Sequence, residues 1–200
     1  MTILVLSALL SVITVLSVVA TPAEPHTLEQ RLGVNGPHDF CMLMPSSAHT
    51  TIVDSLQRYD KSDCTCFIVY NLLMSELGTW SRFNPAGTKL QAQMLMPSNF
   101  WSHVSFKSGS TVGKHFAQLT GCIRPNTLDH LVPSNLGGQY YYNHPGESIC
   151  LGYKHYIEIV EPASRRACIK CCNDPTDCQP SSKVHPHCPT IIPGKYFNCA

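Results

Sequence analysis

The chain reads as mainly β: a single disulfide-stapled antiparallel sandwich or barrel with one or two short helices. Three observations point there. Short runs of alternating apolar and polar residues recur between turns rich in Pro and Gly, with no helical segments alternating between them. Eleven cysteines are present, all beyond residue 40. The length past residue 20 suits one domain with its own core.

The elements follow in chain order. Residues 1–20, MTILVLSALLSVITVLSVVA, are apolar or hydroxyl-bearing and carry no charged side chain, and the helix-breaking TPAEP comes next. This pattern predicts a secretory signal peptide cleaved near Ala20. No later segment approaches membrane-spanning length, so no membrane partner is expected after cleavage. Residues 21–38 are expected to be an exposed N-terminal arm, with a short helix over HTLEQRL stopped by Gly33, Gly36 and Pro37. A cysteine-rich β domain is expected over 39–200, starting at Asp39-Phe40-Cys41. Strands are predicted from Cys64 to Tyr70, His103 to Phe106 and His115 to Ile123, whereas NLLMSELGTW is ambiguous and admits a helix. The clearest strand is Leu151 to Val160, with Leu151, Tyr153, His155, Ile157 and Ile159 on one face and Lys154 and Glu158 on the other. After the Pro162-Ala163-Ser164 turn, Ala167 to Cys172 is extended again, and the two strands are expected to pair as a hairpin.

Compartment decides what the cysteines do. After secretion, Cys41, Cys64, Cys66, Cys122, Cys150, Cys168, Cys171, Cys172, Cys178, Cys188 and Cys199 are all disulfide candidates. Their odd number leaves one thiol outside the intramolecular pairs, and the connectivity is open at this point. Strand alternation sends adjacent Cys171 and Cys172 to opposite faces, so they are expected to bond different partners, one towards the core and one towards a surface loop or the tail. A metal knuckle from Cys168, Cys171, Cys172 and the VHPHC stretch is the weaker reading in an oxidising space. So is redox catalysis by Cys168 and Cys171, which sit in strand-like sequence. His185 and His187 read as surface histidines. No metal and no cofactor is assigned.

A formal charge of +1 with no basic run argues against nucleic acid and against an electrostatic membrane binder. No N-glycosylation sequon is present.

The second half carries a combined motif: Thr120-Gly121-Cys122-Ile123, Gly137 to Tyr140, Gly152-Tyr153 with Tyr156, Glu161-Pro162, Cys168 to Cys172, Asp177-Cys178 and Ile192 to Tyr196, with Phe40 to Pro45 upstream. On these residues the chain resembles a family of small secreted cysteine-rich fungal proteins, tightly from Leu119 onward. The resemblance implies secretion, disulfides and a fungal source. It carries no catalytic residue. Tyr141 stands where relatives often have Asp, and residues 60–79 depart from the family pattern.

Function is therefore read from chemistry. Gln139, Tyr140, Tyr141 and Tyr142 offer aromatic platforms beside an amide, the groups a glycan or a host protein is recognised by. The blander alternative is that alternate tyrosines pack beneath the Gly137-Gly138 turn. The expectation is a secreted, non-enzymatic extracellular or cell-wall-associated protein that binds a glycan or a host protein. Two alternatives stand beside it: a secreted hydrolase, for which His130 and His155 are loose general-base candidates, and a disulfide-fixed effector or enzyme inhibitor. No hydrolase motif of the Gly-x-Ser-x-Gly or His-Glu-x-x-His type occurs.

Overall fold

The computed structural model describes residues 30–56, 61–64, 96–111, 114–142 and 148–199. Among them, nine strands form two sheets that pack as a sandwich. The first sheet runs β3 (Lys61–Cys64), β2 (Asp39–Met44), β1 (Gln30–Gly36), β7 (Ser148–Cys150). The second runs β4 (Trp101–Thr111), β5 (Lys114–Ile123), β9 (Arg166–Cys172), β8 (His155–Glu161), β6 (Gly138–Tyr141). All pairings are antiparallel except β1 with β7. Two short helices, α1 (Ile52–Ser55) and α2 (Cys188–Ile191), flank the sheets.

The inter-sheet core is filled by alternate residues of each strand. Leu32 and Val34 of β1, Leu119 of β5, Tyr140 of β6, Tyr156 and Val160 of β8, and Ala167 and Ile169 of β9 belong to one buried cluster. Ties among the described residues cross between the sheets. Cys150 on β7 is disulfide-bonded to Cys171 on β9. The Ser148 and Tyr156 hydroxyls share a hydrogen bond of 2.6 Å. The Leu43 N–H donates to the Glu158 carboxylate at 3.0 Å. The Tyr140 hydroxyl likewise meets Ser55 of α1 at 2.8 Å.

A second, smaller core lies on the outer face of the five-stranded sheet. Ile157, Ile159, Cys168 and Cys172 face out from β8 and β9, and Cys178, Cys188 and Ile192 cover them. The C-terminal segment continues across β5. Gln118 donates to the Pro193 carbonyl and Thr120 to the Lys195 carbonyl, each at 3.0 Å. Gly194 sits so close to Thr120 that a Cβ would lie 2.7 Å from its methyl group. Disulfides Cys168–Cys188 and Cys122–Cys199 pin the two ends of this strap. The described residues therefore form three layers: sheet, sheet and disulfide-bound C-terminal segment.

Several expectations need correcting. Residues 30–38 are no exposed arm: β1 is hydrogen-bonded on both sides, and Leu32 and Val34 are buried. Two apolar residues spaced by two drive this stretch into the sheet, so the domain begins before residue 39. Residues 21–29 lie outside the described residues, as do the signal segment, residues 65–70 of the predicted Cys64 to Tyr70 strand, and NLLMSELGTW. The strand predicted from His103 to Phe106 is the middle of an 11-residue strand. The strand predicted from Leu151 begins only at His155, because Gly152 takes a left-handed turn at φ +79°. Glu158 does not point to solvent. It is fully buried in the inter-sheet core, and the apolar face of Ile157 and Ile159 turns outward beneath the strap.

The expected hairpin of β8 and β9 forms, with His155 opposite Cys172 at one end and Glu161 opposite Arg166 at the other. The adjacent cysteines diverge: Cys171 bonds Cys150 across the sandwich, whereas Cys172 closes a short loop with Cys178.

Candidate binding cleft

The tyrosine stretch is divided by its strand. Residues alternate across β6, so Tyr140 turns inward and is fully buried, with its hydroxyl on Ser55. Tyr140 therefore leaves the exposed platform expected for it. Gln139 turns outward, but both ends of its amide are spent on backbone: its Nε2 donates to the Ser181 carbonyl at 2.6 Å, and the Ser181 N–H donates to its Oε1 at 2.9 Å. Tyr141 is partly buried. Tyr142 is 40 % exposed and meets the His155 ring edge-on at 5.4 Å. The four residues do not form one surface. Gly137 is the reason the strand lies so close to its neighbour: at φ +95°, a Cβ there would approach the Val160 carbonyl to 2.2 Å.

The other nominated histidines are structural in their placement. The buried His130 ring donates from Nδ1 to the Pro45 carbonyl at 2.6 Å. His185 donates from Nδ1 to the Gly137 carbonyl at 2.7 Å, which ties the tail to the β6 turn. His187 donates from Nδ1 to the buried Glu161 carboxylate at 2.8 Å, and the other Glu161 oxygen accepts the Cys188 N–H at 2.8 Å. Glu161 thus caps the start of α2. Burial first, then the Glu161 charge, raises the neighbouring Tyr196 phenol well above its ordinary range, so it stays a hydroxyl and donates to the Ile192 carbonyl. Among the described residues no group of three or more His, Cys, Asp or Glu is placed to hold a metal ion.

A concavity among the described residues lies elsewhere. A cleft of about 600 Å³ opens between the β1–β2 turn and the start of β4, lined by Pro37, His38, Phe40, Met96, Pro97, Ser98, Trp101, Ser102, His103 and Val104. That volume falls among small-ligand sites, which run from about 300 to 1,000 Å³. Trp101 forms its aromatic wall. The indole is held edge-on by Phe40 at 6.1 Å and by Phe100 at 5.6 Å, arrangements that aromatic quadrupoles favour. Its Nε1–H is buried and has no acceptor among the described residues. Such a donor is rare in folded chains, because leaving it unmade costs about 1–3 kcal/mol. His38, Ser98 and His103 are exposed around this wall. His103 also lies against Phe197 of the C-terminal strap, with ring centres 5.3 Å apart.

Neither His130 nor His155 lines this cleft. The residues that do were not nominated from sequence, although Phe100-Trp101-Ser102-His103 has the same aromatic-beside-polar composition that drew attention to Gln139–Tyr142. What the sequence does not display is that Phe40 and His38, some sixty residues earlier in the chain, close the other side.

No helix among the described residues is long and apolar enough to cross a membrane. The chain is cysteine-rich and disulfide-bonded. Compared with protein families, curated proteins and solved structures, it finds no match in any of the three.

Proposed function

We propose that the chain is a secreted, non-enzymatic extracellular protein, of fungal type, that binds a glycan in the Trp101 cleft. The observation that carries this is the wall itself: an indole locked between two phenylalanines, with an N–H lacking an acceptor among the described residues and hydroxyl and imidazole groups around it. A sugar ring offers an apolar face to the indole and hydroxyls to the surrounding polar groups. The disulfides support export, since such bonds persist in oxidising compartments.

The test is a glycan array followed by calorimetric titration of the best neutral hit. Trp101→Phe keeps a ring between Phe40 and Phe100 but removes the N–H and part of the face. It is expected to weaken binding about ten-fold, in line with a lost hydrogen bond plus contact area. Equal affinity in the variant, with unchanged thermal stability, removes the cleft from consideration.

One observation favours a second reading, an effector or inhibitor. The Cys172–Cys178 bridge fixes a six-residue span in which Pro175 and Thr176 are exposed. Asp174 braces it by accepting from the Thr176 N–H and hydroxyl at 2.9 and 2.7 Å. Inhibition of a secreted hydrolase that disappears in Thr176→Lys would establish that role.

A further inference from the structure

The Trp101 cleft does not end at His103. A second cleft of about 470 Å³ shares Ser102 and His103 with it and continues past Arg124, Asn126 and Thr127 to Arg165 and Asn198. A third, of about 510 Å³, shares Arg165 and Asn198 with the second and adds Ser164 and Arg166. A trough therefore runs from an aromatic end to one where three of the chain's six arginines collect. No Asp or Glu lines the second or third cleft among the described residues.

The three arginines are held differently, and none is in an ion pair with the described residues. Arg124 donates from Nη1 to the carbonyls of Asn99, at 2.8 Å, and Trp101, at 3.2 Å, which ties the basic end to the aromatic wall. Arg166 lies over the Tyr196 ring at 5.6 Å, and its buried Nε–H has no acceptor among the described residues. Arg165 is exposed and sits in the left-handed region, at φ 49°. Glycine or asparagine would hold that position at less conformational cost, and neither carries a guanidinium. The backbone beneath is fixed: the Ile123 N–H donates to the Arg165 carbonyl at 2.8 Å, and the Arg124 N–H to the Phe100 carbonyl at 2.7 Å. Glu161, opposite Arg166 in the hairpin, has both carboxylate oxygens engaged by His187 and the Cys188 N–H.

Clustered guanidiniums with no carboxylate partner among the described residues repel one another and are suited to a planar oxyanion, which each can bind through two parallel N–H groups. We propose that the Arg124–Arg165–Arg166 end of the trough is an anion subsite, and that the ligand is an acidic oligosaccharide whose carboxylate or sulfate lies there while a neighbouring ring lies on Trp101. This rests on the glycan reading of the Trp101 cleft and names the class of glycan.

The experiment titrates the full secreted chain with a galacturonate hexamer, its methyl ester, a sulfated hexasaccharide and a neutral glucan hexamer, at low and moderate salt, with a short DNA duplex as a second polyanion. The acid hexamer, or the sulfated one, is expected to bind at least ten-fold tighter than the ester and to lose that advantage as salt rises. The tighter of the two names the acid group. In Arg165→Gln the advantage of acid over ester should collapse. In Arg165→Lys, which keeps the charge but not the planar fork, it should recover only in part. Equal binding of acid and ester overturns the subsite, as does an advantage that survives Arg165→Gln, or DNA binding as tight as the acid sugar. If ester and neutral hexamer bind in a Trp101-dependent manner while the acid gains nothing, the subsite falls and the cleft reading stands. If the acid binds through Arg165 regardless of Trp101→Phe, the cleft reading falls and the anion site stands alone.

Discussion

At Asp174 a single carboxylate organises a loop. It accepts two hydrogen bonds from Thr176 and lies 3.4 Å from the Lys114 ammonium. The Thr176 hydrogen bonds first, and Lys114 after them, hold its carboxyl below the usual range. A carboxylate with a lowered folded pKa stabilises the fold fully above its unfolded value of about 4, and that contribution is lost as pH falls through the folded value. The melting temperature of the wild type should therefore exceed that of Asp174→Asn near pH 6, and the gap should close in a titration from pH 4 downward. A gap that widens with acid would contradict the assignment. Glu158 is a carboxyl in the opposite setting, sealed between the sheets, where one of its oxygens accepts the Leu43 N–H. Neither behaviour is visible in the one-letter code, because both depend on a donor supplied from elsewhere.

At the scale of elements, strand contacts set which glycines are indispensable. Gly121 on β5 faces β4 so closely that a Cβ would lie 2.1 Å from the His103 carbonyl and 2.9 Å from the Val104 Cα. Backbone cannot yield there without breaking the long β4–β5 pairing that carries Trp101 and His103 into the cleft. Gly121→Ala is expected to cost roughly 2–4 kcal/mol in denaturant unfolding, the range of severe core overpacking. Gly36, at the β1–β2 turn, has nothing within 4 Å of the same construction. Gly36 is buried, but an added methyl group there meets open space, so Gly36→Ala should stay within about 1 kcal/mol of wild type. Comparable losses for both variants would show that the β4 contact is not what restrains Gly121. The hairpin of β8 and β9 was legible in sequence because its turn residues and β-branched runs are local. Its facing was not, since an alternation read as one wet and one dry side gives the wrong answer when both sides are covered.

For the whole molecule, the strap is the consequential feature. Ile192, Pro193, Gly194 and Tyr196, a motif with no evident purpose in isolation, roof the outer face of the large sheet; Tyr196 lies against Arg166, and Phe197, next in the chain, against His103. Its anchor, Cys122–Cys199, spans 77 residues of chain, whereas Cys172–Cys178 spans 6. If bridges act by restricting the unfolded chain, the longer loop contributes more, by up to about 2 kcal/mol on the loop-entropy scale. Replacing Cys122 and Cys199 together by alanine should lower unfolding stability more than replacing Cys172 and Cys178. It should also weaken any ligand of the arginine end, since Cys199 and Asn198 line it. The reverse order of stability would mean that the short loop holds the second core together.

The cysteine spacing, the period-two runs and the turn residues were enough, read alone, to determine a mainly β fold, sandwich or barrel, closed by disulfides and the opposite fates of Cys171 and Cys172. These are properties of neighbouring residues along one strand. The pairing partners, the inward Glu158, the capture of Gln139 by Ser181 and the cleft between Phe40 and Trp101 belong to contacts between residues dozens of positions apart. Such contacts are fixed by how two sheets and a returning tail close on one another, and no local pattern encodes that. The candidate site moved from the tyrosines to Trp101 for this reason: a strand tells which side chains alternate, but only packing tells which of its two faces is left open.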